Sequence, residues 1–332
     1  MDYLRKLAKA MLILVLIAVA FVIPELLSRV LMPAWAPGED SASLWEPNIY
    51  TGWRQIPSNA ANFDPDGWVG SNALGLRDKQ LGEKTKPRIL FLGDSFTHGF
   101  GIKNGERFTA KLQPLLPNYQ IINAGVLGFG TLQEFFLLKL YADAIQPDYI
   151  VLQMYKNDFI DNLDTKGMHP HPYLDWQNQF ALTNYPVPKM PLSQRFFLYL
   201  LKDTYFYRQL AGQLFLFSMK LHIEFKPDEI PEPQQKDLIQ GMQIALPMIY
   251  DLCAKKHISI ILFAHDLEPY QQSVVQSLSS AHAVPYYNLD EAFIKATQDI
   301  RYRDGRHWNV YGNQLVANYM YPRIVSMTSV AR

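Results

Sequence analysis

A single cysteine, Cys253, stands among 332 residues. With no second thiol the chain has no internal disulfide. Cys253 lies within an apolar helical pattern and reads as a buried structural thiol. An excess of charge of either sign is also missing: 31 Lys and Arg balance 31 Asp and Glu. Nucleic acid favours a basic surface, so that partner class is set aside. No internal repeat and no low-complexity tract is present. Long apolar runs are scarce too, and the one that matters is at the start.

There, Arg5, Lys6 and Lys9 precede an uncharged run from Ala10 to Ile23. The run is shorter than the roughly 20 residues that a full span prefers. Leu7 and Ala8, with Lys9 snorkelling, bring it close. Residues 1–32 are therefore expected to be a single-pass membrane anchor with a cytoplasmic N-terminus. The body would then lie in the periplasm or outside the cell. The rival reading is secretion after signal cleavage near Ala18-Val19-Ala20. Phe21-Val22-Ile23 prolongs the apolar run and speaks against it.

Over the whole chain 48% of residues are hydrophobic and 19% charged, enough for a sizeable core. Residues 33–87 read as a tether that becomes a β-rich lead-in, with a turn at Asp66-Gly67. From Arg88 the pattern alternates. Strands are expected at Arg88–Leu92, Tyr119–Ile122, Tyr149–Met154, Ile258–Phe263 and Val284–Leu289. Helices are expected at Glu106–Leu116, Thr131–Ile145, Pro233–Lys256, Pro269–Ala281, Glu291–Gln298 and Val310–Val325. Such alternation implies right-handed crossovers and a parallel sheet covered on both faces. Residues of about 160–233 interrupt it as an insertion. Its second half, from Ser193 to Phe225, is aromatic and helical in composition, suited to packing on the body or to touching a membrane.

Chemistry gathers where strands end. The run Ile89 to Leu92 stops at Gly93-Asp94-Ser95, placing a serine on the turn after a buried strand. In open α/β sheets that edge carries ligands and reactions. A serine hydroxyl becomes a nucleophile only with a base, an acid to orient the base, and donors for the oxyanion. The later strands end in Asn123-Ala124-Gly125 and Lys156-Asn157-Asp158, and a polar loop holds Asp304-Gly305-Arg306-His307.

In these four blocks and their order, the chain resembles the SGNH/GDSL hydrolase superfamily. The resemblance covers roughly Arg88 to Val325. Asn72-Ala-Leu-Gly-Leu-Arg77 is similar to the lead-in of its membrane-anchored bacterial members. One departure is Tyr155, where the third block usually has glycine. The resemblance implies an α/β fold: a three-layer α/β/α, flavodoxin-like parallel sheet, with the aromatic-rich insertion and the N-terminal helix added. The hydrolase domain would be 88–332. It implies Ser95 as nucleophile, His307 as base and then acid, and Asp304 as the orienting carboxylate. It also implies an oxyanion hole from the N–H groups of Ser95 and Gly125 and the amide of Asn157. No cofactor and no metal are called for.

Plainer roles are expected for the residues around them. Asp158 and Asp290 read as caps. His98 packs the turn, and His265-Asp266 forms part of the site wall. Trp308 shields the base or closes the core. His169 and His171 form a weak metal motif without a third ligand. The implied activity is an exported esterase that cleaves O-acyl esters, O-acetyl foremost, on an envelope glycan or lipid. The alternatives are acyl transfer to a polysaccharide hydroxyl, or a vestigial module with envelope protein partners.

Overall fold

The computed structural model describes residues 45–57, 67, 70–163, 171–188, 233–294 and 296–330, with scattered positions between 5 and 27. The chain divides into two compact units. One comprises Met1–Leu44 and Met190–Lys226; the other comprises Trp45–Lys189 and Pro227–Arg332 and holds every element below. Most of the expected anchor, Asp66 of the expected turn, and the aromatic stretch from 193 to 225 lie outside the described residues. Among the described residues, no helix is long and apolar enough to cross a membrane.

The lead-in opens with an antiparallel hairpin, β1 (Trp45–Asn48) and β2 (Gly52–Gln55). The central sheet follows: β3 (Arg88–Gly93), β4 (Gln120–Gly125), β5 (Tyr149–Tyr155), β8 (Ser259–His265) and β9 (Tyr286–Asn288). Its spatial order is β4-β3-β5-β8-β9, and every pairing is parallel. The insertion contributes a small antiparallel hairpin of its own, β6 (Tyr173–Asp175) with β7 (Ala181–Thr183).

The helices are α1 (Ser95–His98), α2 (Phe108–Leu115), α3 (Thr131–Ile145), α4 (Asp158–Asp161), α5 (Gln235–Lys255), α6 (Pro269–Ala281) and α7 (Val310–Val330). Strand periodicity divides the apolar residues between the two faces of the sheet. Leu90, Leu92, Ile150, Leu152, Met154, Ile260 and Leu262 enter one core, beneath α3, α5 and α6. Ile89, Phe91, Val151, Ile261 and Phe263 enter the other, beneath α2 and α7. On α5 the core face is Met242, Leu246, Ile249 and Cys253, a helical spacing of four and three. Cys253 is fully buried, and burial pushes its thiol up to about 12, so it is an inert packing residue. The result is an α/β fold with a parallel central sheet between two helical layers.

Two expectations fail locally. The helix expected over Glu291–Gln298 is a 3-10 turn over Leu289–Ala292, followed by irregular chain. Leu289 is buried and Ala292 and Phe293 pack partly against the core, but Ile294 is 78% exposed, so apolar contact ends at Phe293 and gives a helix nothing to bury beyond it. Asp290 does not cap a helix from this position; its carboxylate accepts the N–H of Asp266. The expected strand Val284–Leu289 shrinks to Tyr286–Asn288 at the sheet edge.

The centre of β5 should carry much of the stability. Leu152→Ala is expected to cost about 2–5 kcal/mol, read from urea unfolding of the two proteins. A loss below about 1 kcal/mol would be inconsistent with a tightly packed sheet centre.

Candidate active site

The turn after β3 is built by close approach. A methyl group on Gly93 would collide with the side chains of Thr97 and Gln153. Asp94 caps α1, its Oδ1 accepting from Phe96 N at 2.9 Å. That cap makes Ser95 the first residue of the helix, half-buried on the carboxyl edge of the sheet. Its N–H is an orphan donor of the first turn. Among the described residues it meets no acceptor.

His307 reaches Ser95 from the far end of the chain. Its Nε2 lies 2.7 Å from Ser95 Oγ, and its Nδ1 lies 2.5 Å from Asp304 Oδ2. The loop braces itself: Asp304 Oδ1 accepts from the backbone N–H of Arg306 at 2.9 Å and of His307 at 3.1 Å. Burial alone would raise the Asp304 pKa. The bond to His307, the imidazole charge and the two backbone donors outweigh it and hold the carboxyl below its ordinary value. An ionised Asp304 accepts a hydrogen bond from Nδ1–H of the ring, which keeps the proton on Nδ1 and leaves the Nε2 lone pair for the serine hydroxyl. Ser95, His307 and Asp304 are thus brought together, with each contact within the reach of a general base.

The expected oxyanion donors are placed less uniformly. Gly125 N donates to Asn123 Oδ1 at 3.0 Å, and a methyl there would collide with the backbone of Thr97 and His98. Gly125 is therefore a packing glycine whose N–H is already spent, a correction to the expected hole. Three residues on, Gly128 is exposed, with φ +69°, and its N–H meets no acceptor among the described residues. The loop that carries Gly128 leaves β4 beside β3, where Val126 N donates to Gly93 O at 3.0 Å. An unpaired backbone donor cannot be read from a sequence, so Gly128 was missed. Asn157 is half-buried at the end of β5; one amide hydrogen goes to Asp161 Oδ2 at 2.5 Å, leaving the other unassigned.

Around the triad the wall is aromatic. Tyr155, which stands where the resemblance calls for glycine, stacks on His265 at 4.8 Å and packs on Phe96 at the same distance. His265 is buried against Phe96 and Trp308, and burial drives its pKa well down, so the ring is neutral. Trp308 closes the core against Phe96 and Phe108. His98 is buried beside Arg77 and Trp45. His171 packs edge-on against Trp53, whereas His169 lies outside the described residues. Among the described residues, no group of three or more His, Cys, Asp or Glu could hold a metal ion.

Beneath the site lie three buried carboxyls, Asp94, Glu134 and Asp158. Asp158 accepts from Thr131 Oγ1 at 3.0 Å and from Tyr155 N at 2.8 Å, a bracing role in keeping with its expected structural one. Burial pushes Asp94 up to about 6. Burial first, then repulsion by neighbouring carboxylates, lifts Asp158 and Glu134 well above their ordinary values. Glu134 has no hydrogen-bond partner for either oxygen among the described residues. Its sequence position on an apolar helix gave no sign of this.

No family model matches the chain, and no curated protein matches it. Solved structures do. Esterase EstA from Pseudoalteromonas sp. is 14% identical with a TM-score of 0.44, the match covering 74% of this chain and 100% of that one. A two-domain esterase active on acetylated mannans is 12% identical with a TM-score of 0.41, covering 74% of this chain and 50% of that one. AlinE4, an SGNH-hydrolase family esterase, is 16% identical with a TM-score of 0.38, covering 74% and 98%. At these identities and TM-scores the likenesses carry no weight here. The parallel sheet and the site stand on their own geometry.

The buried acid predicts a pH signature. Glu134 has a folded pKa far above its unfolded value, so the native state holds a proton that the unfolded chain releases. This lowers stability progressively as pH rises above the ordinary value of 4.5. Glu134→Gln keeps the shape and removes the titration. The variant is expected to gain thermal stability over the wild type at pH 8 and not at pH 4. An equal difference at both pH values would show that Glu134 does not titrate abnormally.

Proposed function

We propose that the chain is a serine ester hydrolase of the SGNH type that works through an acyl-enzyme on Ser95. The observation that carries this is the unbroken line from Ser95 Oγ through His307 to Asp304, at 2.7 and 2.5 Å. As Ser95 Oγ attacks an ester carbonyl, His307 Nε2 takes its proton, and Asp304 stabilises the imidazolium. The oxyanion is met by the Ser95 N–H, the free amide hydrogen of Asn157 and, in place of Gly125, the N–H of Gly128. Loss of one such donor typically costs about 2.7–4 kcal/mol of transition-state stabilisation. When the tetrahedral species collapses, the carbon–oxygen bond to the alcohol breaks and His307 returns the proton to the departing oxygen. Water, deprotonated by the same nitrogen, then releases the acid and restores Ser95.

The substrate we favour is an O-acyl, chiefly O-acetyl, ester on an envelope glycan or lipid. This rests on the basic and then apolar N-terminus, which would tether the body outside the cytoplasm at the inner membrane. Transfer to a sugar hydroxyl is the same chemistry with that hydroxyl replacing water. The intact line of contacts at Ser95 speaks against a vestigial binding module.

The test is hydrolysis of nitrophenyl acetate, butyrate and octanoate by the detergent-solubilised full chain. Ser95→Ala is expected to abolish hydrolysis and to leave the thermal transition in place, because Ser95 opens α1 at its half-buried end, outside both cores. Activity falling steeply beyond acetate fits a small-acyl site, and activity rising with length fits a lipid. Equal turnover by wild type and Ser95→Ala would overturn the proposal.

A further inference from the structure

The triad's base sits on a loop, and a loop histidine needs more than one hydrogen bond to hold its orientation. Asp304 fixes Nδ1 but leaves the ring able to roll about that bond. Two phenylalanines limit the roll. Phe96 packs on the imidazole with ring centres 4.8 Å apart and planes at 41°, and Phe100 packs at 4.4 Å and 37°. Among the described residues the two phenylalanine rings make no contact with each other, so they meet the imidazole at different places.

The two are held differently. Phe96 is 2% exposed and wedged among Tyr155, His265 and Trp308. Phe100 is half-buried on the loop after α1, between Gly99 and Gly101, whose φ angles are +84° and +80°. Glycine takes that left-handed conformation without strain, so the pair lets the chain turn out and back around one side chain. Gly99 N and Phe100 N both donate to Ser95 O at 3.0 Å, tying the loop to the nucleophile's own residue.

The loop is gripped from beneath by a residue of the lead-in. Arg77 is 1% exposed. Its guanidinium donates to Gly99 O and Ile102 O, each at 2.8 Å, to His98 O at 3.3 Å, and to the Asn104 side chain at 2.9 Å. Few side chains other than arginine offer donors in this fork, and lysine cannot reproduce it.

We propose that Phe100, held out by the glycine turn that Arg77 clamps, is a positioning residue that keeps the His307 imidazole aligned on Ser95 Oγ. The proposal rests on the serine-hydrolase reading. It makes the lead-in a working part of the site and not only a tether. It also gives the aromatic ring at this position a purpose beyond burial.

The experiment measures two things in the full chain: the rate at which a fluorophosphonate labels Ser95, and kcat and KM on nitrophenyl acetate. The proteins compared are wild type, Phe100→Leu, Phe100→Tyr and Arg77→Lys. Phe100→Leu is expected to lower labelling and kcat about tenfold, because a small misalignment of a reacting group has large effects. KM should stay unchanged, and Tm should stay within about 2 °C. Phe100→Tyr restores the ring face and should match the wild type. Arg77→Lys should fall in the same direction as Phe100→Leu; if it does not fold, the Phe100 pair decides alone. Labelling of Phe100→Leu at the wild-type rate would overturn the inference. So would a raised KM with kcat unchanged, which would make Phe100 a substrate contact. A wild type that takes no label at Ser95 would instead sink the hydrolase reading beneath it.

Discussion

The direction in which the chain crosses its sheet reverses at β3, and the site depends on that reversal. From β3 the chain passes to β4 on one side, then returns across to β5 on the other. The connections leaving the carboxyl ends of β3 and β5 therefore diverge, which is the place where open α/β sheets bind ligands. Ser95 follows the first strand and Asn157 the second. Both strands are buried along their whole length and paired in register from Ile89 with Tyr149 to Leu92 with Leu152. Ser95 and Asn157 thus project from a stiff centre, which suits the roles proposed for them, since such groups must stay in place while charge develops between them.

The remaining partner arrives by a different route. Asp304 and His307 belong to neither strand nor helix, and their loop holds its form by Asp304 accepting two backbone donors nearby. Such a loop fixes Asp304 well and His307 less well, and in the proposal above the flanking rings make up the difference. The surroundings are also electrostatically uneven. A carboxylate held low faces the imidazole, while three carboxyls pushed up by burial lie beneath Ser95. Ion pairing at the rim is ordinary by comparison: Lys156 and Asp266, 2.8 Å apart, are both substantially exposed. Exposed pairs of that kind contribute little.

Much of this was legible in the chain itself, for physical reasons. The strands β3, β5 and β8 are short apolar runs that could be buried only on both faces, and the structure buries them so. The helix α5 repeats its apolar residues at helical spacing straight through Pro247. Ser95 opens the short helix just after β3, and Asp304 and His307 lie on a polar loop; their neighbours in sequence announce them. What escaped depends on three-dimensional closeness. The spending of the Gly125 N–H on Asn123 depends on where one side chain points. The burial of Glu134 depends on α3 turning that residue toward two other acids. The segment after Leu289 contains helix-forming residues, yet its contact with the core ends at Phe293 and Ile294 stays exposed. The role proposed for Phe100 and Arg77 rests on four bonds from Arg77 and on one ring contact at His307, none of which spacing reveals.

The central claim is that an acyl group passes through Ser95. The most direct measurement mixes the protein with nitrophenyl acetate, quenches in acid within the first turnovers, and maps peptides by mass. The account predicts a single acetyl on the peptide containing Ser95, absent from the Ser95→Ala protein. Turnover of the ester with no acetyl on that peptide, or with acetyl carried at another serine, would contradict it.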